Sequence, residues 1–423
     1  METKSINPQN FEEKLVWYSI TGTYVFYLFG ALVVVAPVIA WVLFFYGLKK
    51  LSMEYIEGDE YASFGLPLSV LVWFIGMFMM LVALILGHIN HGIGLGGIIK
   101  SMIGWAKGWA LLAIFPFIGC LDIRPALIYR AACVVCFHTL LLLPLFIGAA
   151  VVGLPQSIYV SPLKVLGPGP EFYSLNLYEI DPEGAPRWRF FTPWAPAIGF
   201  VANIYFIFAM MEKEWKWKLA GISGCLVMIL LSKSRLALVA IVTVWGITWF
   251  LSNFRKPFVL YLCGLGSALI GCVALPIAAA MEQAMATFKA ARADSSRVRS
   301  ALGRIAVDRW SREAPIFGHG VVERGPHLVE YMPIGSHHSW FGLLFVKGIV
   351  GFISLAVPMI VSFLTLWYRS HDHEPAKVGI AVLMILFLYT FGENLEILAY
   401  LVWPGLLFLG MGVNARCQRS HDL

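Results

Sequence analysis

Apolar runs of about twenty residues, the length that crosses a bilayer as an α-helix, recur along this chain from one end to the other. Eleven are clear, at approximately 23–47, 66–88, 106–122, 128–153, 193–211, 219–233, 235–251, 257–281, 348–368, 378–393 and 396–412. Backbone in hydrocarbon must satisfy its own hydrogen bonds, so runs of this kind dictate helices. A soluble core has no room for them: 59% of the 423 residues are hydrophobic and 13% are charged, against roughly 25% charged in soluble domains. The expectation is an all-α polytopic protein, a single integral membrane domain over 1–423 in contact with the lipid bilayer.

Charge placement orients the spans. The short connections at 212–218, 253–256 and 369–377 and the tail from Asn414 carry most short-loop cations, and the positive-inside rule puts them in the cytoplasm. The net charge of +6 is thereby explained by orientation, and nucleic acid is not an expected partner. The Gly-rich stretch 92–105, with Lys100 inside it, fits either a twelfth span or an interfacial helix, and the span is favoured. About twelve spans place the N-terminus in the cytoplasm and two long loops, 154–192 and 282–338, on the opposite face. The polar N-terminal residues lack a small-residue cleavage site, so the first span is expected to direct insertion.

Loops this long in a compact membrane protein usually carry function. The loop 154–192 contains Gly-Pro-Gly-Pro at 167–170 and then Arg187 and Arg189. The loop 282–338 starts as a polar amphipathic helix over 282–310 and ends Gly-, Pro- and His-rich. It holds Lys289, Arg292, Arg297, Arg299, Arg304, Arg309, Arg312 and Arg324 against six acids, with His319, His327, His337 and His338. Any one of these arginines is explained by a solvated helix. Together, on a loop with no topological need for cations, they point to an anionic, phosphate-bearing substrate, because the guanidinium fork grips phosphate bidentately. Histidine, with a pKa near 6.5, is the natural general base at neutral pH, and nearby cations keep it unprotonated. His337 and His338 stand just before the chain re-enters the membrane; adjacent side chains point apart and no cysteine is near, so a base is favoured over a metal site. At a span boundary, Ser232-Lys233-Ser234-Arg235 puts charges at a depth where they are expensive, which marks Arg235 as a functional candidate.

Other polar residues read as packing. Six of the seven cysteines lie inside apolar runs and Cys417 lies in the basic tail; Cys133 and Cys136 form a C-x-x-C without a second pair, expected to be core rather than zinc or redox chemistry. His88, His91 and His138 lie on apolar runs, and His371, His373 and His421 are expected to be solvated.

The order of these pieces resembles the O-antigen ligase and polymerase superfamily of bacterial membrane glycosyltransferases, over roughly residues 187–370. The carriers of the resemblance are Ser234-Arg235 at a helix boundary, the helix bearing Arg297 to Arg304, the Pro315 to Gly320 turn (Pro-x-x-Gly-x-Gly) and His337-His338. Gly348-Ile349-Val350-Gly351 and the stretch Arg189-Phe190-Phe191-Thr192-Pro193 complete it. Two positions depart: Leu236 stands where the family has glycine after Ser-Arg, and a second histidine stands where it has asparagine. The family spacing of eleven residues to the first glycine selects His337; a one-residue shift selects His338.

The resemblance implies a GT-C-like protein of the bacterial inner membrane, with both long loops in the periplasm and the active site on 282–338. The implied reaction is transfer of polysaccharide from an undecaprenyl-pyrophosphate-linked glycan donor to a sugar hydroxyl of a lipid A–core acceptor, with inversion. His337 or His338 is the implied base. Arg235, Arg189, Arg297, Arg299 and Arg304 are the implied pyrophosphate-binding residues, and neither cofactor nor metal is implied. An O-antigen polymerase would use a lipid-linked glycan as acceptor instead. A flippase or transporter would concentrate its charges within the spans, whereas here they concentrate in the loops.

Overall fold

The computed structural model describes residues 6–56, 66–181, 184–290 and 293–414; Arg292, Cys417 and His421 lie outside them. Among the described residues the apolar runs are helices: α1 (Phe11–Thr21), α2 (Thr23–Leu28), α3 (Leu32–Ile56), α4 (Leu68–Asn90), α5 (Leu95–Lys107), α6 (Leu111–Ile118) and α7 (Pro125–Val152). After the 154–192 loop come α8 (Ala195–Met211), α9 (Trp215–Leu231), α10 (Arg235–Asn253), α11 (Pro257–Ala290) and α12 (Ala293–Glu313). The bundle ends with α13 (Ser339–Arg369), α14 (Glu374–Tyr389) and α15 (Leu395–Met411). Among the described residues, seven helical stretches are long and apolar enough to cross a membrane. The protein is a multi-pass membrane protein.

Three boundaries differ from expectation. Residues 92–105 are not an independent span: α5 and α6 join across a short break into one apolar stretch, Leu95–Ile118. The all-α expectation misses two small antiparallel hairpins in the 154–192 loop. β1 (Ser157–Val160) pairs with β2 (Ser174–Asn176), and β3 (Glu179–Ile180) with β4 (Pro186–Arg187). The run expected at 348–368 begins earlier, at Ser339, because α13 continues through a kink at Gly348.

Small residues let the helices approach without a hydrophobic driving force between them in lipid. Gly76 of α4 faces the Ser354 carbonyl and Pro358 of α13, and Trp73 Nε1 donates to Ser362 Oγ at 2.8 Å. Gly221 and Gly224 of α9 meet Cys133 and Cys136 of α7, so the C-x-x-C serves helix packing. Cys120 and Cys225 are likewise buried, whereas Cys272 is exposed on α11.

The kink in α13 is the most informative local feature. Helical bonding would send the Ile349 and Val350 N–H groups to the Phe345 and Val346 carbonyls. The 315–320 turn takes over all four groups. His319 N–H donates to Phe345 O and Gly320 N–H to Val346 O, both at 2.9 Å. Ile349 N–H donates to Pro315 O (2.9 Å) and Val350 N–H to Ile316 O (3.3 Å). The Pro-x-x-Gly-x-Gly turn is thus threaded into a broken helix, leaving no orphan backbone group where water is scarce. Gly348 has φ +62° and ψ −161°, and a Cβ there would lie 2.3 Å from the Ile316 carbonyl oxygen. Gly318, at φ +66°, faces the Lys347 backbone nitrogen at 2.4 Å in the same way.

Gly348→Ala therefore combines an essentially glycine-only conformation, costing about 1–3 kcal/mol, with a backbone clash. Thermal unfolding in detergent is expected to show a marked loss of stability. Gly246→Ala in α10, where a Cβ meets nothing within 4 Å, is expected to leave the midpoint unchanged or slightly raised. Equal midpoints for the two variants would contradict this account of the kink.

Candidate functional site

The N-terminal ends of α8, α10, α13 and α15 and the C-terminal end of α14 meet on the face that carries both long loops. Ser339, the first residue of α13, ties them together. Its N–H donates to the Thr390 carbonyl (2.8 Å), its Oγ donates to the Glu393 carbonyl (2.7 Å) and accepts from Leu395 N–H (3.1 Å). Trp340 Nε1 adds a bond to Thr390 Oγ1 at 2.8 Å.

The two histidines before Ser339 are in different situations. His338 is the N-cap of α13. Its Nδ1 accepts from Phe341 N–H at 3.3 Å, and its ring stacks on Phe341 with centroids 3.9 Å apart. A ring that accepts at Nδ1 carries its neutral-state proton on Nε2, so neither nitrogen is a free lone pair. His337, half-buried, has φ +60°, a strained value for a non-glycine residue. Among the described residues no hydrogen bond holds its ring. Burial and then the Arg299 charge hold the His337 pKa below 6.5, and burial does the same for His338.

Periodicity sorts the arginines of α12. At 3.6 residues per turn, Arg299 shares a face with Leu302, Gly303 and Ala306, all buried. Gly303 on that face lies against Phe341, where a Cβ would come within 2.7 Å of the ring. All three arginines are exposed, but Arg297 and Arg304 stand on the far side of the helix. Arg299 therefore projects from the edge of the packed face, and its charge acts on both His337 and Glu393.

Glu393 is the residue that sequence reading missed, because it was assigned to the end of a span. It lies in the 390–394 loop, 5% exposed, and Oε2 accepts from Trp194 Nε1 at 3.1 Å. Burial pushes its pKa up to about 7, opposed by the Trp194 bond and the Arg299 charge. The signal was present: an acid in an apolar surrounding is expensive and so suspect.

Arg235 is the first residue of α10, half-buried, behind a cap in which Ser234 Oγ accepts from Ala237 N–H at 3.4 Å. Its neighbour Leu236, which departs from the family glycine, packs 3.2 Å from the Cβ position of Gly392, one residue from Glu393. Lys233 is paired with Asp181 at 3.0 Å and fastens this turn to the first loop. Arg189 is 4% exposed and employed by the fold: Nη2 donates to Ser174 Oγ at 2.9 Å, Nη1 donates to the Pro193 carbonyl, and Tyr27 lies beside it.

A second cluster locks the loop. His319 Nδ1 lies 3.0 Å from the Phe345 carbonyl and Nε2 lies 2.8 Å from Glu313 Oε2. Arg309 bridges Glu313 (2.8 Å) and Glu323 (2.6 Å) over the Phe345 ring. Hydrogen bonds from Arg309 and then His319 hold the Glu313 carboxyl at about 2, far below the usual carboxylate range. Both nitrogens of His319 are thus engaged. Among the described residues no three His, Cys, Asp or Glu side chains group as metal ligands.

One stretch of chain carries the Ser234-Arg235 cap, α12, the threaded turn, the histidine pair and the α13 kink. That stretch matches a family model described as O-antigen ligase (Wzy_C), over residues 219–356. The likeness to that family extends over about a third of the chain. No curated protein matches the chain. The matched stretch contains Arg235, Arg299, His337 and His338, while Glu393, Trp194 and Arg189 stand outside it.

A raised carboxylate pKa has a stability consequence. Glu393 rises from 4.5 to about 7 on folding, so the folded state holds a proton that the unfolded state has released. Stability from this group is fully present below 4.5 and is lost as pH rises through about 7. Glu393→Gln keeps an acceptor for Trp194 and removes the titration. From pH 5 to 8 the stability of the variant relative to wild type should grow by roughly 2 kcal/mol; the histidine contributions cancel in the comparison. Thermal unfolding at both pH values with a constant difference would show that Glu393 does not titrate in this range.

Proposed function

We propose that the protein is an O-antigen ligase of the bacterial inner membrane, facing the periplasm. It would transfer polysaccharide from undecaprenyl pyrophosphate to a sugar hydroxyl of lipid A–core. The family match supports chemistry of the ligase and polymerase type. The observation that carries the mechanism is the convergence of one arginine charge, Arg299, on an unbonded histidine and a buried carboxylate.

His337 takes the proton of the acceptor hydroxyl, for which its lowered pKa keeps a lone pair available at neutral pH. The acceptor oxygen attacks the anomeric carbon from the side opposite the pyrophosphate. The carbon–oxygen bond to the pyrophosphate breaks with its electron pair, and undecaprenyl pyrophosphate leaves with inversion at that carbon. Arg299 and Arg235 meet the charge that develops on the leaving group. Glu393 keeps the cluster from accumulating positive charge before the donor arrives. Arg297 and Arg304 draw the polyanionic donor towards the loop, Arg189 keeps the first loop in place, and no divalent ion is needed.

Single-turnover transfer with purified lipid-linked donor and lipid A–core, in buffer containing EDTA, tests the assignment. His337→Ala is expected to lose about 10²–10⁴-fold in rate, and His338→Ala less, in step with its loss of helix stability. Equal rates for wild type and His337→Ala would remove the base. A strict requirement for magnesium or manganese would remove the metal-free mechanism. A deletion strain should retain lipid-linked polymer and lack polymer on lipid A–core; single-repeat caps would make the protein a polymerase.

The arginines are expected to divide along the faces of α12. Arg299→Ala and Arg235→Ala should each lower the rate at saturating substrate by about 10²-fold, the scale for losing a charge-stabilising donor. Arg235→Lys should fall between wild type and Arg235→Ala, having the charge without the fork. Arg304→Ala should change it by less than about threefold, as expected for an exposed charge on the far side of the helix. If Arg304→Ala costs more than Arg299→Ala, the leaving group lies on the other side of the helix.

A further inference from the structure

Next to the histidine pair, a cavity of about 200 Å³ opens between residues 333–336, the first turns of α13, the start of α15 and Trp109. Its rim is exposed at Val322 and Pro333. Its floor contains Lys347, 4% exposed, and Trp109, 3% exposed. Glu396 lies opposite Lys347, near enough to feel its charge. Among the described residues no hydrogen-bonded pair joins them. The Trp109 indole N–H faces Glu396 without forming a full hydrogen bond. Two further polar atoms on this wall, Ser336 Oγ and Asn394 Oδ1, are buried and have no hydrogen-bond partner among the described residues.

A buried lysine and a buried glutamate with no hydrogen bond between them, beside two unpaired polar groups, are costly to the fold. A ligand that supplied the missing bonds would repay that cost, and the lining restricts its chemistry. Phosphate would suit Lys347 but would meet Glu396 and the Asn394 carbonyl oxygen with like polarity. An apolar chain would leave every polar group unpaired. Sugar hydroxyls both donate and accept, so they can answer Lys347, Glu396, Asn394 and Ser336 together, while the C–H face of the ring packs on Trp109 and Leu343. The volume is small beside the roughly 300–1,000 Å³ of drug-sized ligand pockets, which fits one ring and not a chain.

We propose that this cavity is a subsite for one saccharide unit of a transferase substrate, bound by Lys347, Glu396, Asn394 and Ser336 against Trp109. This rests on the transferase reading above. Ser336 precedes His337 in the chain, and Ser339 on the same wall holds the Glu393 carbonyl. A ring seated here therefore lies beside the base, as either the attacking sugar of the acceptor or the first sugar of the donor.

The test uses full-length protein in detergent and the double variant Lys347→Met with Glu396→Leu. Replacing a buried, poorly paired charge couple with apolar side chains is expected to maintain or raise the thermal midpoint. In transfer assays one KM should rise at least tenfold with kcat within about threefold, the pattern of lost ground-state binding. A rise in acceptor KM seats the acceptor sugar, and a rise in donor KM seats the donor sugar. Saturation-transfer NMR with free core oligosaccharide and with free repeat-unit oligosaccharide should give a signal for one of them with wild type and none with the variant. A lowered midpoint with both KM values and the NMR signal unchanged overturns the subsite and makes the pair structural. Wild-type protein that binds a free oligosaccharide yet transfers nothing would instead overturn the transferase reading and keep the cavity.

Discussion

The exchange of four backbone hydrogen bonds between the 315–320 turn and the break in α13 holds the rest of the site in place. A membrane helix can be interrupted only where something else satisfies its freed N–H and C=O groups. Here the 315–320 turn does so, and in entering the bundle it is itself fixed against α13. The ion cluster of His319, Glu313, Arg309 and Glu323 fastens the same turn from outside. From the α4 side, Gly87 lies against the Phe317 carbonyl and Gly320. The first half of α13, over 339–347, is thus held at both ends: by the turn at Gly348 and by Ser339 bonded to the 390–395 loop.

That double attachment brings separate parts of the chain into one electrostatic unit. The Arg299 guanidinium stands on a soluble-like helix, His337 on a strained loop residue and Glu393 between two buried helices. A cation near both keeps the histidine neutral and moderates the protonation of the carboxylate, as the directions of their pKa shifts require. In the partly dehydrated mouth of a helix bundle such charges act over longer distances than in water. Moving α12 would change the state of both other groups, so the packing of Gly303 on Phe341 has electrostatic consequences as well as steric ones.

The helical, membrane-spanning character was legible in the sequence because apolar runs report local physics. The Pro315 to Gly320 turn and Gly348 could be picked out as motif pieces, but not that one is threaded into the other, which is a contact between distant carbonyls and N–H groups. The hairpins of 154–192 were invisible, their strands being two to four residues long. Glu393 was hidden by its apolar neighbours, which placed it in a span when it lies in a loop. Among the arginines, composition marked five alike; only helical phase relative to Leu302 and Ala306 separates Arg299 from Arg297 and Arg304, and only burial shows Arg189 to be committed to Ser174 and Pro193.

The same consideration separates function from structure throughout the site. A polar side chain that the fold puts to use is explained by the fold: His338 caps a helix, His319 bridges a carbonyl and a carboxylate, and two Arg189 nitrogens tie a loop. A polar side chain that the fold shelters without answering is not, because burial without partners costs stability and nothing in the packing returns it. His337 adds a positive φ to an unbonded ring, and Ser336 and Asn394 add buried oxygens without donors. Ser336 and Asn394 line one cavity with Ser339, and His337 follows Ser336 in the chain. Other buried polar atoms without partners are spread through the described residues, but Ser336 Oγ and Asn394 Oδ1 share one cavity beside His337, where a substrate would restore the missing bonds.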